Sequence, residues 1–298
     1  MTLLDRTAGA PISWGVCEVP GWGTVLPPEQ VLAEMQALGL RATELGPDGY
    51  LESDPPALRA QLAAHDLRLV AGFVPAVMHV REVEDEQLAA VTAATQQLAA
   101  GGASVVVLAA ATGADGYESR PELEPDEWKQ LAAFVQRTAD VASSYGLGVT
   151  VHPHVGTVVE TQADVQRLLE LSPAQLCVDT GHLLIGGTDP LELVRRVPDR
   201  VGHVHLKDVD ARLAGQVHSG ELSYHAAVTR GLYRPLGAGD VPVAEVVDVL
   251  ESSGYAGWYV LEQDTALDGE HPPGGGPIED VLVCVDFIRS LDQHLSGR

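Results

Sequence analysis

The chain has 298 residues, 45% of them hydrophobic and 20% charged, enough to bury one large α/β core or two smaller ones. Its 42 Asp and Glu against 18 Lys and Arg give a formal net charge of −24, spread along the chain, and such a field repels nucleic acid and anionic membrane surfaces. Cys17, Cys177 and Cys284 are an odd number, far apart and without a C-x-x-C pair, as expected of small buried hydrophobes in a reducing compartment.

The N-terminus "MTLLDRTAGAPISWG" carries no basic segment followed by a long apolar run. No later stretch approaches the roughly 18 apolar residues of a membrane span, so a soluble, cytoplasmic protein is expected. Short β-rich runs then alternate with longer Ala/Leu-rich ones. The first predicted strand, "APISW", precedes a helix starting near Pro27-Pro28-Glu29, and "RATEL" precedes one starting near Asp54-Pro55-Pro56. "LRLVAGF" leads into a helix over 84–100 and "ASVVVLAA" into one over 125–145. "LGVTVH" leads into 161–170, "AQLCVDT" into 189–196, "RVGHVHL" into a helix near 242–253, and "GWYVLEQ" into the closing helix 277–294. Pro at helix starts and Gly ahead of strands ("ALGL", "SYGLG") mark the joints.

Eight such units without a break in composition predict a single-domain (β/α)8 TIM barrel over residues 1–298. A doubly wound open sheet is the alternative. Against it, no G-x-G-x-x-G follows the first strand, and polar residues gather at many strand ends rather than at one crevice. An extended loop follows strand seven: about 35 residues, where most βα connections take about 2–6. Its "LSYHAAVTRGLY" places Leu, Tyr and Val at helical spacing, so 208–240 is expected to be a folded lid.

The strand period of two sorts the chemistry. Thr150, His152 and His154 share a face opposite Val149 and Val151; Cys177 and Asp179 oppose Leu176 and Val178. His203, His205 and Lys207 oppose Val204 and Leu206, and Val260 and Glu262 oppose Leu261. The polar residues sit at the carboxyl ends of their strands, which in a barrel form one face, so they are expected to converge on a pocket. Two or three imidazoles with two carboxylates and no thiolate would suit Mn²⁺, Co²⁺, Fe²⁺ or Zn²⁺ better than Ca²⁺ or Mg²⁺. Glu44 ends strand two opposite Leu45, and Trp14 or Trp22, after strand one, could stack on a sugar ring. His218 and His225 lie in the long connection, within possible reach of the pocket.

"DTGHLLIGG" at 179–187, "HVHLKDV" at 203–209, "RPLGAGDV" at 234–241 and "GYAGWYVLEQD" at 254–264 resemble the sugar isomerase/epimerase superfamily of xylose isomerase-like TIM barrels. Within it, "APISWG", "ELGPDGYL", "HPHVGTVVET" and "AAVTRGLYRPLGAGD" are most similar to the inosose dehydratase branch. The resemblance implies a divalent metal, Mn²⁺ or Co²⁺ first, held by His152, Asp179, His205 and Glu262. Position 152 departs from the commoner Glu, which leaves His154 as the other candidate from strand five. It further implies a substrate-contacting or proton-carrying His182 and a substrate-binding Lys207; Glu44, Trp14 and His203 are the remaining expected substrate contacts.

The branch implies a cyclic polyol ketone such as 2-keto-myo-inositol, dehydrated by α-proton abstraction, a metal-stabilised enediolate and loss of the β-hydroxyl. His182 and His154 are the expected base and acid, in either order. A ketose isomerase or 3-epimerase, or a lyase of 3-keto glycosides, would use the same first step. A metal-dependent endonuclease on this barrel conflicts with the charge of −24, and a sugar-binding barrel without catalysis conflicts with the intact ligand set. The expected partner is a small sugar or cyclitol. A homo-oligomer is compatible with the sequence, although no stretch marks an interface.

Overall fold

The computed structural model describes residues 2–296. Eight parallel strands close a barrel: β1 (Thr7–Gly9), β2 (Ala42–Glu44), β3 (Arg68–Ala76), β4 (Val105–Ala110), β5 (Gly148–Val151), β6 (Gln175–Asp179), β7 (Val201–Leu206) and, after a short hairpin β8 (Asp208–Val209) with β9 (Tyr233–Arg234), β10 (Tyr259–Leu261). Around the ring they run β1-β10-β7-β6-β5-β4-β3-β2, and β2 returns to β1 through Gly9 and Thr43.

The outer helices are α1 (Pro28–Ala37), α2 (Pro55–Ala63), α3 (Glu84–Gly101), α4 (Pro125–Ser144), α5 (Gln162–Leu171), α6 (Thr180–Ile185), α7 (Pro190–Arg196), α8 (Ala211–His218), α9 (Tyr224–Thr229), α10 (Val243–Ser252) and α11 (Pro277–Ser296). Pro opens α1, α2, α4 and α7, where its missing N–H costs nothing, and Asp54 and Asp189 side chains accept the first free amides of α2 and α7.

Two apolar clusters lie on opposite sides of the sheet. The large one fills the shell between strands and helices. The small one, including Ala8, Ala42, Ala71, Val107, Cys177 and Val260, draws residues from six strands and plugs the barrel interior. The plug leaves the carboxyl ends of β5, β6, β7 and β10 above it for polar side chains.

The first strand differs from the expected "APISW". It is Thr7–Gly9, and Pro11–Trp14 is a 3₁₀ turn that carries the chain off the sheet. Gly9 packs so close to α1 that a Cβ there would meet Met35 at 3.1 Å, so the strand is built from small residues that carry little β signal. The connection after β7 is folded, as its helical spacing predicted, into α8, α9 and the β8–β9 hairpin.

Candidate metal and catalytic site

Asp179 ends β6 and is also the N-cap of α6. Its Oδ1 accepts the backbone N–H groups of Gly181 at 3.0 Å and His182 at 2.8 Å, leaving Oδ2 for the site. The Thr180 hydroxyl donates to the Lys207 carbonyl at 2.6 Å and accepts the Lys207 N–H at 2.9 Å, which ties α6 to the end of β7. Only glycine fits at 181, because a Cβ would lie 2.6 Å from the Cβ of Lys207.

The sheet register pairs Asp179 with His205, and His205 with Val260. Accordingly, His205 Nδ1 is 3.5 Å from Asp179 Oδ2 and 3.0 Å from Glu262 Oε2, and His152 Nε2 is 3.4 Å from Asp179 Oδ2. All four residues offer a donor atom within 4.8 Å of the others. Ligation at about 2.1 Å places neighbouring donors about 3.0–3.4 Å apart, so the spacing and the mixed N/O chemistry fit one divalent cation. Behind this set, Glu44 Oε1 lies 3.1 Å from His205 Nε2 and 2.7 Å from His203 Nε2. A carboxylate in that position fixes the ring and leaves Nδ1 as the nitrogen that faces the other donors.

Burial alone would raise the Asp179 carboxyl and lower the Lys207 ammonium. The neighbours reverse both: Lys207, with hydrogen bonds from His152 and His205, holds Asp179 well below the carboxylate range, and Asp179, Asp264 and Glu262 hold Lys207 well above its ordinary value. Against burial, His205 and Lys207 bring Glu262 down to about 2. Against burial too, Cys177, Glu262 and Glu44 raise His205.

Two further imidazoles stack beside the cluster, with ring centroids 3.7 Å apart. His154 Nδ1 donates to the Val155 carbonyl at 2.7 Å, which leaves the Nε2 lone pair unused. His182 is arranged the other way. Its Nδ1 accepts the Val155 N–H at 3.4 Å, and Nε2 faces Asp264 Oδ2 at 3.6 Å. Burial, with His152 and Lys207, pushes His154 down to about 4; burial, His154 and Lys207 push His182 well below the imidazole range. Both rings are therefore neutral near pH 7, and of the two only His154 has a free lone pair.

A cavity of about 500 Å³ opens over this face. Of the expected residues, Glu44, His152, His154, His205, Lys207 and Glu262 line it, while Asp179 and His182 lie just behind. Two expectations are corrected. Trp14 is fully buried and gives its indole N–H to Glu34 at 2.7 Å, because the 3₁₀ turn aims it at α1; Trp22 lines the cavity in its place. His203 is fully buried beneath Glu44 and reaches no cavity wall. Nor do His218 and His225 enter the site: they face the carbonyls of Ile185 and Trp22, both at 3.1 Å.

Sequence reasoning missed Asp264 and the tyrosines around it. Asp264 Oδ1 meets Lys207 Nζ at 2.8 Å, and its Oδ2 accepts the Tyr224 hydroxyl at 2.6 Å. The period that selected Glu262 applies equally to Glu262-x-Asp264; no such signal marks Tyr224.

Residues 32–282 match the family model for the xylose isomerase-like TIM barrel. An inosose dehydratase of Geobacillus kaustophilus is 32% identical over 97% of this chain and 96% of its own length. The rhizopine catabolism protein MocC of Rhizobium meliloti is 32% identical over 88% of this chain and 82% of its own. Among solved structures, the IOLI protein with a bound zinc atom superposes with TM-score 0.71 at 11% identity, covering 97% of this chain and 98% of that one. An L-ribulose 3-epimerase gives 0.71 at 16% identity over 97% and 95%. Among the described residues no helix is long and apolar enough to cross a membrane.

Proposed function

Because this chain belongs to the xylose isomerase-like TIM-barrel family and is related over nearly its whole length to inosose dehydratases, we propose that it is a divalent-metal-dependent hydro-lyase of a cyclic polyol ketone of the 2-keto-myo-inositol type. One observation carries the reading: a four-donor cluster stands beside a neutral imidazole, His154, which lines the same cavity and whose Nε2 has no hydrogen-bond partner committed to it.

His152, Asp179, His205 and Glu262 would hold the cation, with Mn²⁺ or Co²⁺ suiting the donors best and Zn²⁺ or Fe²⁺ next. When bound, it supplies Lewis-acid stabilisation for the negative charge that develops on the ketone oxygen. His154 takes the α-proton onto Nε2 and passes it to the β-hydroxyl, which leaves as water. One C–H and one C–O bond break, a C=C bond forms, and the imidazole ends as it began. His182, with its own lone pair committed to Val155, keeps the His154 ring in place. Glu44 accepts from the far nitrogen of His205, and Trp22 and Phe73 form walls for the ring. Lys207 has three N–H groups and three carboxylate partners, so it reaches a substrate only by releasing one of them.

Ultraviolet difference spectroscopy on the metal-stripped, Mn²⁺-reconstituted protein with 2-keto-myo-inositol tests this reading. Metal-dependent absorbance of a conjugated dione-enol, lost in His205→Ala, is the expected result. Bound metal without that absorbance would redirect the site to an isomerase or 3-epimerase, which returns the proton without losing water, or to a 3-keto-glycoside lyase.

A further inference from the structure

Lys207 is 2% exposed and follows the last residue of β7 amid negative charge. Its Nζ lies 3.1 Å from Asp179 Oδ2, 2.7 Å from Glu262 Oε2 and 2.8 Å from Asp264 Oδ1. The first two of these oxygens also stand against His205 Nδ1, at 3.5 and 3.0 Å. The ammonium and a divalent cation held by His152, Asp179, His205 and Glu262 therefore draw on the same carboxylates. Two positive charges that share oxygens inside a protein repel far more than they would in water.

Asp264 is outside that donor set. Its Oδ2 accepts the Tyr224 hydroxyl at 2.6 Å, and the Tyr224 and Tyr233 oxygens are 2.8 Å apart. The Tyr233 ring centroid lies 5.5 Å from Lys207 Nζ. Both tyrosines come from the connection between β7 and α10, and both are buried. The connection thus fixes one oxygen of Asp264, and with it the direction of the other oxygen toward Lys207.

We propose that Asp264, oriented by Tyr224, gives the Lys207 ammonium a seat outside the donor set: a positioning pair that holds the lysine when a divalent cation takes Asp179 and Glu262, and so sets how tightly those carboxylates bind it. The inference rests on the metal site of the proposed function but not on its reaction. Asp264 also forms a second group of possible donors with His154 and His182. The ammonium 2.8 Å from Asp264 opposes a cation there, which makes the stoichiometry part of the test.

The experiment is calorimetric titration of Mn²⁺ into the metal-stripped full chain, with melting of the metal-free proteins as a control for structural damage. Asp264→Asn is expected to weaken Mn²⁺ binding about tenfold and Tyr224→Phe about threefold, the scale of losses behind a metal-ligand shell. Lys207→Met is expected to tighten it. In the Lys207→Met background, Asp264→Asn and Tyr224→Phe are expected to have no further effect, because the competitor they restrain is gone. Weakening that persists in that background would overturn the proposal, since Asp264 would then act on the cation directly. So would a second Mn²⁺ ion lost in Asp264→Asn, or no Mn²⁺ uptake by the wild-type chain. If Lys207→Met does not fold, Tyr224→Phe decides: wild-type Mn²⁺ affinity overturns the proposal and weakened affinity supports it. Inactivity toward 2-keto-myo-inositol would remove the proposed reaction and leave these titrations standing.

Discussion

The two ends of the barrel bury charge in opposite ways. At the amino end, Arg6 gives NH2 to both carboxylate oxygens of Glu251 at 2.6 Å and NH1 to the carbonyls of Tyr255 and Gly257 at 3.1 Å. One cation meets one carboxylate, and the clamp joins β1 to the approach of β10. At the carboxyl end a single ammonium faces Asp179, Glu262 and Asp264, with Glu44 one imidazole further on. A balanced pair serves the fold, whereas a surplus of carboxylates and imidazole lone pairs is what a cation-binding face requires.

Substitutions at the two ends should separate these roles. The largest effect is expected at the carboxyl end, where His205→Ala or Glu262→Ala should lower turnover by about a thousandfold or more, as measured by steady-state kinetics with saturating Mn²⁺. Arg6→Ala should instead cost about 3 kcal/mol of stability in urea unfolding while Mn²⁺ affinity and turnover per folded molecule stay within about twofold of wild type. Saturating Mn²⁺, at about 100 times its dissociation constant, should add about 2.7 kcal/mol to the wild type, and the same increment to Arg6→Ala if the ends are independent. An increment that shrinks in Arg6→Ala would show the clamp and the site to be coupled.

The smallest effect concerns His79, buried just beyond β3 with its Nδ1 unpartnered. Burial lowers its pKa below the ordinary value of 6.5. The folded state therefore binds fewer protons than the unfolded one. The stability linked to this ring is complete above about pH 6.5 and is lost as the pH falls toward the lowered folded value. His79→Gln should reduce the fall in melting temperature between pH 7 and pH 5, a difference readable by calorimetry.

The barrel was legible because its signals are periodic. Proline marked the starts of α1, α2, α4 and α7, and valine-rich runs marked β4 and β7. The same period brought His152, Asp179, His205 and Glu262 onto one face, and the structure brings them together. What failed was not periodic. Thr7–Gly9 is too short and too small-sided to stand out beside "PISW", and the direction of Trp14 depends on a turn. The division of labour between His154 and His182 lies in which nitrogen meets Val155, which sequence cannot express. Tyr224 reaches Asp264 across 40 residues of chain.

The connection after β7 has one more consequence. His218 faces the Ile185 carbonyl beyond β6, and His225 faces that of Trp22 beyond β1. The Tyr224 and His225 amides donate to Glu118 beyond β4, and the Tyr224 hydroxyl donates to Asp264 beyond β10. The connection thereby ties itself to segments beyond four other strands, five in all. Freeing any one of them strips partners from the next, so the least costly excursion loosens the whole rim together. Traffic of ligand and water through the mouth would then follow the breathing of that rim as a unit, with a rate that a substitution in any of the five loops can change.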